Sequence, residues 1–138
     1  MIVFAVIREP VSRWLSAMLQ YGLSSEQGMP FPDFVAQQLT LLRHGAYEPL
    51  DVHLTPQSTF LLPTLPVSDW LRFEHLDQDY ARLASRAGLP AGMRHQHRAK
   101  PDGPTLIRDM VTARDEEAVR DFYADDVRLH ERAQALHR

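Results

Sequence analysis

Three side chains within nine residues, Arg8, Arg13 and Ser16, have the chemistry to hold a phosphate group. Guanidinium groups offer forked N–H donors and a hydroxyl offers one more, a combination that suits phosphate oxygens. Their setting strengthens the case. The run from Ile2 to Ile7 is apolar and β-branched, reads as a buried strand, and stops abruptly at Arg8. Pro10 follows two residues later, where a helix can open because the first turn has no use for proline's missing N–H. Arg13 and Ser16 lie three apart on that helix and share a face. Helix N-termini also attract anions through unpaired N–H groups and the macrodipole. A structural alternative stands beside this one: Arg8 pairs with Glu9 or Glu74, and Ser16 bonds back to its own turn.

The elements that must position these groups follow from hydrophobic spacing. A helix is predicted from Pro10 to about Tyr21, ended by Gly22, with Val11, Trp14, Leu15 and Met18 as its apolar stripe. After a loop from Ser24 to Pro32, a second helix covers Asp33 to Arg43, burying Phe34, Val35, Gln38 and Leu42. Gly45 to Pro66 carries four prolines and reads as an extended loop, long enough to suggest function. Val67 to Phe73 is a second strand, and Leu76 to Ala87 a helix closed by Gly88. A polar loop from Ala91 to Pro104 follows. Thr112-Ala-Arg-Asp115 then resembles a capping box that starts a last helix running to about Leu136.

The first block, Arg8-Glu-Pro10-Val-Ser-Arg13-Trp-Leu-Ser16-Ala-Met18, resembles the 3′-phosphate-binding motif of sulfotransferases that use 3′-phosphoadenosine 5′-phosphosulfate (PAPS). That motif is usually R-D-P-x-x-R-x-x-S-x-Y, so Glu9 and Met18 depart from it. Three further blocks follow in order. His53-Leu-Thr-Pro56-Gln57-Ser-Thr-Phe60-Leu61 is similar to the H-x-x-P-Q-x-x-[FY]-L block of bacterial carbohydrate-type members. Asp69-Trp-Leu-Arg72-Phe73-Glu74-His-Leu76-Asp-Gln-Asp79 resembles their D-x-I-x-R-F-E-x-L-x-x-D junction. Tyr123-Ala-Asp125-Asp126-Val-Arg-Leu129 is similar to the closing Y-x-x-D-[FY]-x-L helix.

The resemblance implies an α/β chain with a partial P-loop-like sulfotransferase fold: few parallel strands flanked by helices, and a helix-rich C-terminal half. It implies a single domain over residues 1–138 that moves a sulfuryl group from PAPS to a hydroxyl of a carbohydrate-type acceptor. Arg8 and Ser16 would bind the 3′-phosphate, and Arg13 would support them. His53 is a candidate for acceptor binding or proton transfer, against a structural role pinning its loop to Gln57 or a main-chain carbonyl. Glu74, at a strand end, is expected to form an ion pair with Arg72 or Arg13. The run Arg94-His-Gln-His-Arg98-Ala-Lys100 falls where relatives place a lid, which makes Arg98 and Lys100 further cofactor contacts.

The family's 5′-phosphosulfate loop, of the type P-K-[TS]-G-[ST], and its usual base precede the R-D-P motif. Only Met1 to Ile7 precede Arg8, and Lys100 is the sole lysine. The chain therefore reads as the C-terminal portion of a sulfotransferase, incomplete for catalysis by itself. The alternatives are a non-catalytic 3′-phosphoadenosine-nucleotide-binding remnant and a helical interaction module. A sheet this thin leaves an unpaired edge, open to self-association.

A formal net charge of −3 carries no nucleic-acid signature. Cysteine is absent, which rules out disulfides and thiolate metal sites. It also departs from Golgi relatives, so a bacterial, cytoplasmic protein is expected. His95 and His97 lack companions for a metal site, and none is expected. The apolar run before Arg8 is too short to span a bilayer and has no signal-peptide flanks.

Overall fold

A computed structural model of the protein describes residues 1–23, 29–92 and 108–137. The first apolar run forms strand β1, Phe4–Ile7, and strand β2 spans Asp69–Arg72. They pair in parallel, with Phe4 opposite Asp69 and Ile7 opposite Arg72. Among the described residues there are five α-helices: α1, Pro10–Leu23; α2, Phe31–Arg43; α3, Leu76–Ala87; α4, Ala113–Phe122; and α5, Ala124–Ala135. The chain is α/β and rich in helix. None of the described helices is long and apolar enough to cross a membrane.

The described residues divide into two compact units, each discontinuous in sequence. The first takes 1–9, 56–92 and 125–137, and the second takes 10–23, 29–55 and 108–124. In the first unit, Ile7, Trp70 and Ala133 are buried together, with Ala5, Leu61, Val67 and Leu129 packed around them. Leu129 and Ala133 are four apart on α5, so one helix face lies on the sheet. Helix α3 packs along β2 and stops at Gly88, whose φ of +66° is the left-handed conformation that glycine adopts without strain.

The second unit is a cluster of α1, α2 and α4. The stripe expected on α1 is buried in full: Val11, Trp14, Leu15 and Met18 are each at most 6% exposed. Phe34, Val35, Gln38 and Leu42 of α2 are buried with it, and α4 contributes Val119. The capping box at the start of α4 is complete. The Thr112 hydroxyl accepts the Asp115 N–H at 3.3 Å, and the Asp115 carboxylate accepts the Thr112 N–H at 2.9 Å. Arg43 Nε donates to the same carboxylate at 2.6 Å. Burial pushes the Asp115 carboxyl up, but the hydrogen bonds from Thr112 and Arg43 outweigh it and hold the pKa below the usual carboxylate value.

Both strands are shorter than the expected runs Ile2 to Ile7 and Val67 to Phe73, and four further features differ from expectation. Helix α1 continues through Gly22 to Leu23, because a glycine costs a helix about 1 kcal/mol without stopping it. Helix α2 starts at Phe31, next to Pro30, which has the extended ψ of 139° of a residue before a helix. The segment from Gly45 to Pro66 contains a 3₁₀ turn, Gln57–Phe60, where a wholly extended loop was expected. The last helix is broken at Tyr123 into α4 and α5. There the Tyr123 hydroxyl donates to Leu54 O at 2.6 Å in the second unit, and the division between units follows immediately. Of the expected polar loop Ala91–Pro104, residues 93–104 lie outside the described residues, as does part of the loop before α2.

The second unit's core also holds three buried polar atoms without a hydrogen bond: Trp14 Nε1, Gln38 Oε1 and the Tyr47 hydroxyl. Burial is the largest influence on Tyr47 and raises its pKa, while Tyr123, Trp14 and the Arg13 charge pull the other way. The Tyr123 proton is committed to Leu54 O, so Tyr123 does not donate to the Tyr47 hydroxyl. Tyr47→Phe keeps the edge-to-face contact with Phe122 at 4.9 Å and removes the unpaired oxygen. It is expected to raise stability by about 1 kcal/mol. Urea unfolding tests this; a loss of similar size would mean that the hydroxyl is bonded.

Candidate functional site

Arg8 leaves the carboxyl end of β1, the side of an α/β sheet at which ligands bind. Its main chain is fixed by a side chain that imitates a neighbouring strand. Val3 O accepts from Ser68 and Asp69, so Val3, Ala5 and Ile7 turn their polar groups toward β2 while Phe4, Val6 and Arg8 face away. On that outer edge the Gln57 amide makes both bonds of a ladder. Its Nε2 donates to Val6 O at 3.0 Å, and its Oε1 accepts the Arg8 N–H at 3.1 Å. Gln57 is itself held. The buried Asp126 carboxylate of α5 accepts the Gln57 N–H at 2.7 Å and the Ser58 N–H at 2.8 Å, capping the 3₁₀ turn.

The Arg8 side chain lies over the Phe73 ring, its guanidinium carbon 4.5 Å from the centroid. The next N–H, that of Glu9, donates to Glu74 Oε1 at 2.8 Å. An open cavity of about 420 Å³ runs beside Phe73 and Glu74 along the start of α3. Glu74 and Asp77 line it, so the cavity itself is acidic.

On β2 the outward groups are capped in the same way. The Arg72 N–H donates to Asp79 Oδ2 at 2.8 Å, and His137 Nε2 lies 2.7 Å from Trp70 O. Arg72 also grips Asp79 through Nε at 2.9 Å and Nη2 at 2.8 Å. Burial pushes the Asp79 carboxyl up, yet the Arg72 hydrogen bonds, His137 and the Arg72 charge overcome it and hold the pKa far below the usual carboxylate range. The reciprocal effect raises Arg72, mainly through its bond to Asp79. Both sheet edges are therefore partly closed by side chains.

Each residue singled out from sequence has a definite place. Arg13 belongs to the second unit, where its Nη2 donates to Thr55 O at 2.6 Å and its guanidinium lies 5.9 Å from the Tyr123 ring centroid. Ser16 is half-buried on α1 in that unit. No back-bond from its hydroxyl to the preceding turn is present. His53 is exposed, and its Nδ1 lies 2.9 Å from Asp51 Oδ1, which also accepts the His53 N–H at 2.6 Å. These bonds, the main-chain one foremost, lower the Asp51 pKa. Gln57 is engaged with Val6, Arg8 and Asp126. Glu74 meets the Glu9 N–H and, at 3.5 Å, His130, while Arg72 takes Asp79 as its partner. Arg98 and Lys100 lie outside the described residues, with the rest of the run from Arg94 and with His95 and His97.

Gln57, Arg72, Asp79 and Asp126 all stood in quoted sequence blocks; Gln57 was expected to meet His53 and Arg72 to meet Glu74, while Asp79 and Asp126 had no assigned contact. The signal available was the recurrence of charged or amide residues at fixed places beside apolar ones. Among the described residues, the arrangement holds the Arg8 main chain at a strand end, with its guanidinium over Phe73. The chain was compared with protein-family models, curated proteins and solved structures, and none gave a match.

Proposed function

We propose that this chain carries the 3′-phosphate-binding part of a cytoplasmic, PAPS-dependent sulfotransferase of P-loop-like fold. Arg8 is the phosphate ligand in this reading, Ser16 enters through the resemblance alone, and a carbohydrate-type hydroxyl is the acceptor. The observation that carries it is the setting of Arg8. Its main chain is bonded to Gln57, its side chain rests on Phe73, and it stands at the carboxyl end of a parallel strand pair. A charged group held this way binds an oxyanion without first losing much conformational freedom.

Bound PAPS would supply an activated sulfuryl group, and the acceptor hydroxyl would displace 3′-phosphoadenosine 5′-phosphate from sulfur. The role of this chain's residues is positional. Arg8 fixes one end of the nucleotide, and so fixes the distance and line of attack at the other. Arg13 acts as a positioning residue through its bond to Thr55 O. His53, with Asp51 beside its Nδ1, enters as the candidate for acceptor binding or proton transfer. Arg98 and Lys100 enter only through the resemblance.

A second reading has its own support. The motif residues Gln57, Asp79 and Asp126 are engaged in capping main-chain groups and Arg72 in holding Asp79, as a retained scaffold would require. That reading is a non-catalytic binder of 3′-phosphoadenosine nucleotides. Calorimetric titration with 3′-phosphoadenosine 5′-phosphate tests the shared element. Arg8→Ala is expected to weaken binding by about 1.5–3 kcal/mol, the usual value of a charged hydrogen bond. Adenosine 5′-phosphate, lacking the 3′-phosphate, should bind the native chain as poorly. Folded native chain that fails to bind, or Arg8→Ala that binds equally well, overturns both readings. Turnover with PAPS and a sugar acceptor separates them.

A further inference from the structure

We propose a second anion site at the opposite end of the sheet, in a cavity of about 310 Å³ beside the start of β2. Its ligand is a tetrahedral dianion of the phosphate-monoester type. Asp69, Trp70, Asp79, Arg82, Arg86 and His137 are among the residues that line the cavity, all within the first unit. This inference is independent of the role given to Arg8.

Charge is the first argument. Arg82 and Arg86 are one turn apart on α3 and share a face. Arg86 meets Asp69 through a single nitrogen, Nη1, at 2.6 Å. Arg82 bonds Asp79 and His137, both through Nη2. Asp79, however, is already neutralised by the two-pronged grip of Arg72. Arg132 adds another cation, its guanidinium 5.5 Å from the Trp70 ring centroid. No carboxylate meets Arg132 among the described residues. Among the described residues Arg72, Arg82 and Arg86 thus share two aspartates, Asp69 and Asp79, and Arg132 flanks Trp70 outside the cavity lining, so the cluster carries an excess of positive charge. An anion is the complement of that excess.

Donor supply is the second argument. Arginine carries five N–H donors on three nitrogens, and Arg82 and Arg86 each commit only one nitrogen to protein partners. Nε and the other terminal nitrogen of each remain to serve oxygens in the cavity. His137 orients this fork. Trp70 O can only accept and a guanidinium can only donate, so His137 carries its proton on Nε2 and receives Arg82 at Nδ1, 2.9 Å away. The arginine is therefore aimed before a ligand arrives. The side chains of Arg82 and Arg86 are 48% and 66% exposed, which leaves the site open and its expected affinity modest.

The experiment is a ¹H–¹⁵N NMR titration of the native chain with inorganic phosphate, sodium sulfate and sodium chloride at matched ionic strength. Saturable shifts at the Trp70 indole and at Arg82 and Arg86 Nε–H with phosphate, absent with chloride, are expected. Sulfate binding as phosphate does assigns the site to tetrahedral dianions generally, and weaker sulfate binding assigns it to phosphate. Arg86→Gln alone, and with Arg82→Gln, should weaken phosphate by about tenfold or more. Arg8→Ala should leave these shifts unchanged, which separates this site from the one at the other end. Phosphate behaving like chloride in the native chain, or undiminished binding in folded Arg86→Gln and the double variant, overturns the proposal.

Discussion

Asp79→Ala is expected to destabilise the first unit by about 3–5 kcal/mol, the cost of stranding one member of a buried ion pair. The carboxylate is 1% exposed and receives three bonds from Arg72 alone, one of them from the main chain of β2. Deleting it leaves a guanidinium that is only 11% exposed without its counter-charge, and uncovers an edge N–H. Asp79→Asn keeps the shape and one acceptor but loses the charge, and should fall between alanine and the native chain. Urea unfolding followed by circular dichroism measures both; an alanine variant within 1 kcal/mol of native would show that water replaces the carboxylate at little cost. The pH dependence has a fixed sign. Because the folded-state pKa of Asp79 is depressed, its stabilisation is fully present above the unfolded carboxylate value of about 3.9. It fades as pH falls from there through the folded-state value. Asp79→Asn should therefore flatten the acid limb of the stability profile and leave neutral pH as its region of greatest loss.

What the sequence made legible was local. The stripe Val11, Trp14, Leu15 and Met18 declared a buried helix face, and those residues are the core of the second unit. Leu76–Ala87 with Gly88, and Thr112 with Asp115, could be read because cap and helix are adjacent in the chain. The break at Tyr123 could not. Helical spacing continues across it, and the bond from the Tyr123 hydroxyl runs to Leu54, 69 residues away. The 3₁₀ turn at Gln57–Phe60 was hidden for the same reason, since its cap, Asp126, is 69 residues from Gln57. The candidate site divided along the same line. Arg8 at a strand end was visible from the run before it, but the amide that fixes its main chain is 49 residues distant. Spacing shows which side chains share a face; it does not show which distant N–H a carboxylate will cap.

Asp126→Ala should cost about 3 kcal/mol, and its consequence reaches the candidate site. Two charge-assisted bonds to main-chain N–H groups disappear together, each worth about 1.5–3 kcal/mol before the turn relaxes. The carboxylate is buried, so water cannot simply take its place on both donors. Relaxation of the 57–60 turn then moves Gln57, which alone supplies the strand-like bonds to Val6 O and the Arg8 N–H. Arg8 keeps its charge but loses the support that orders it. Asp126→Asn retains one acceptor, should stay folded, and should lose roughly half as much stability. The informative readout is nucleotide affinity in that folded variant. If the Arg8 main chain is ordered through Gln57, Asp126→Asn weakens 3′-phosphoadenosine 5′-phosphate by several-fold, and adding Arg8→Ala weakens it less than the separate losses predict. If the two losses simply add, Asp126 is a cap for the 3₁₀ turn and nothing more. Arg8 would then draw its order from Phe73, and Phe73→Ala, not the cap, would carry the coupling.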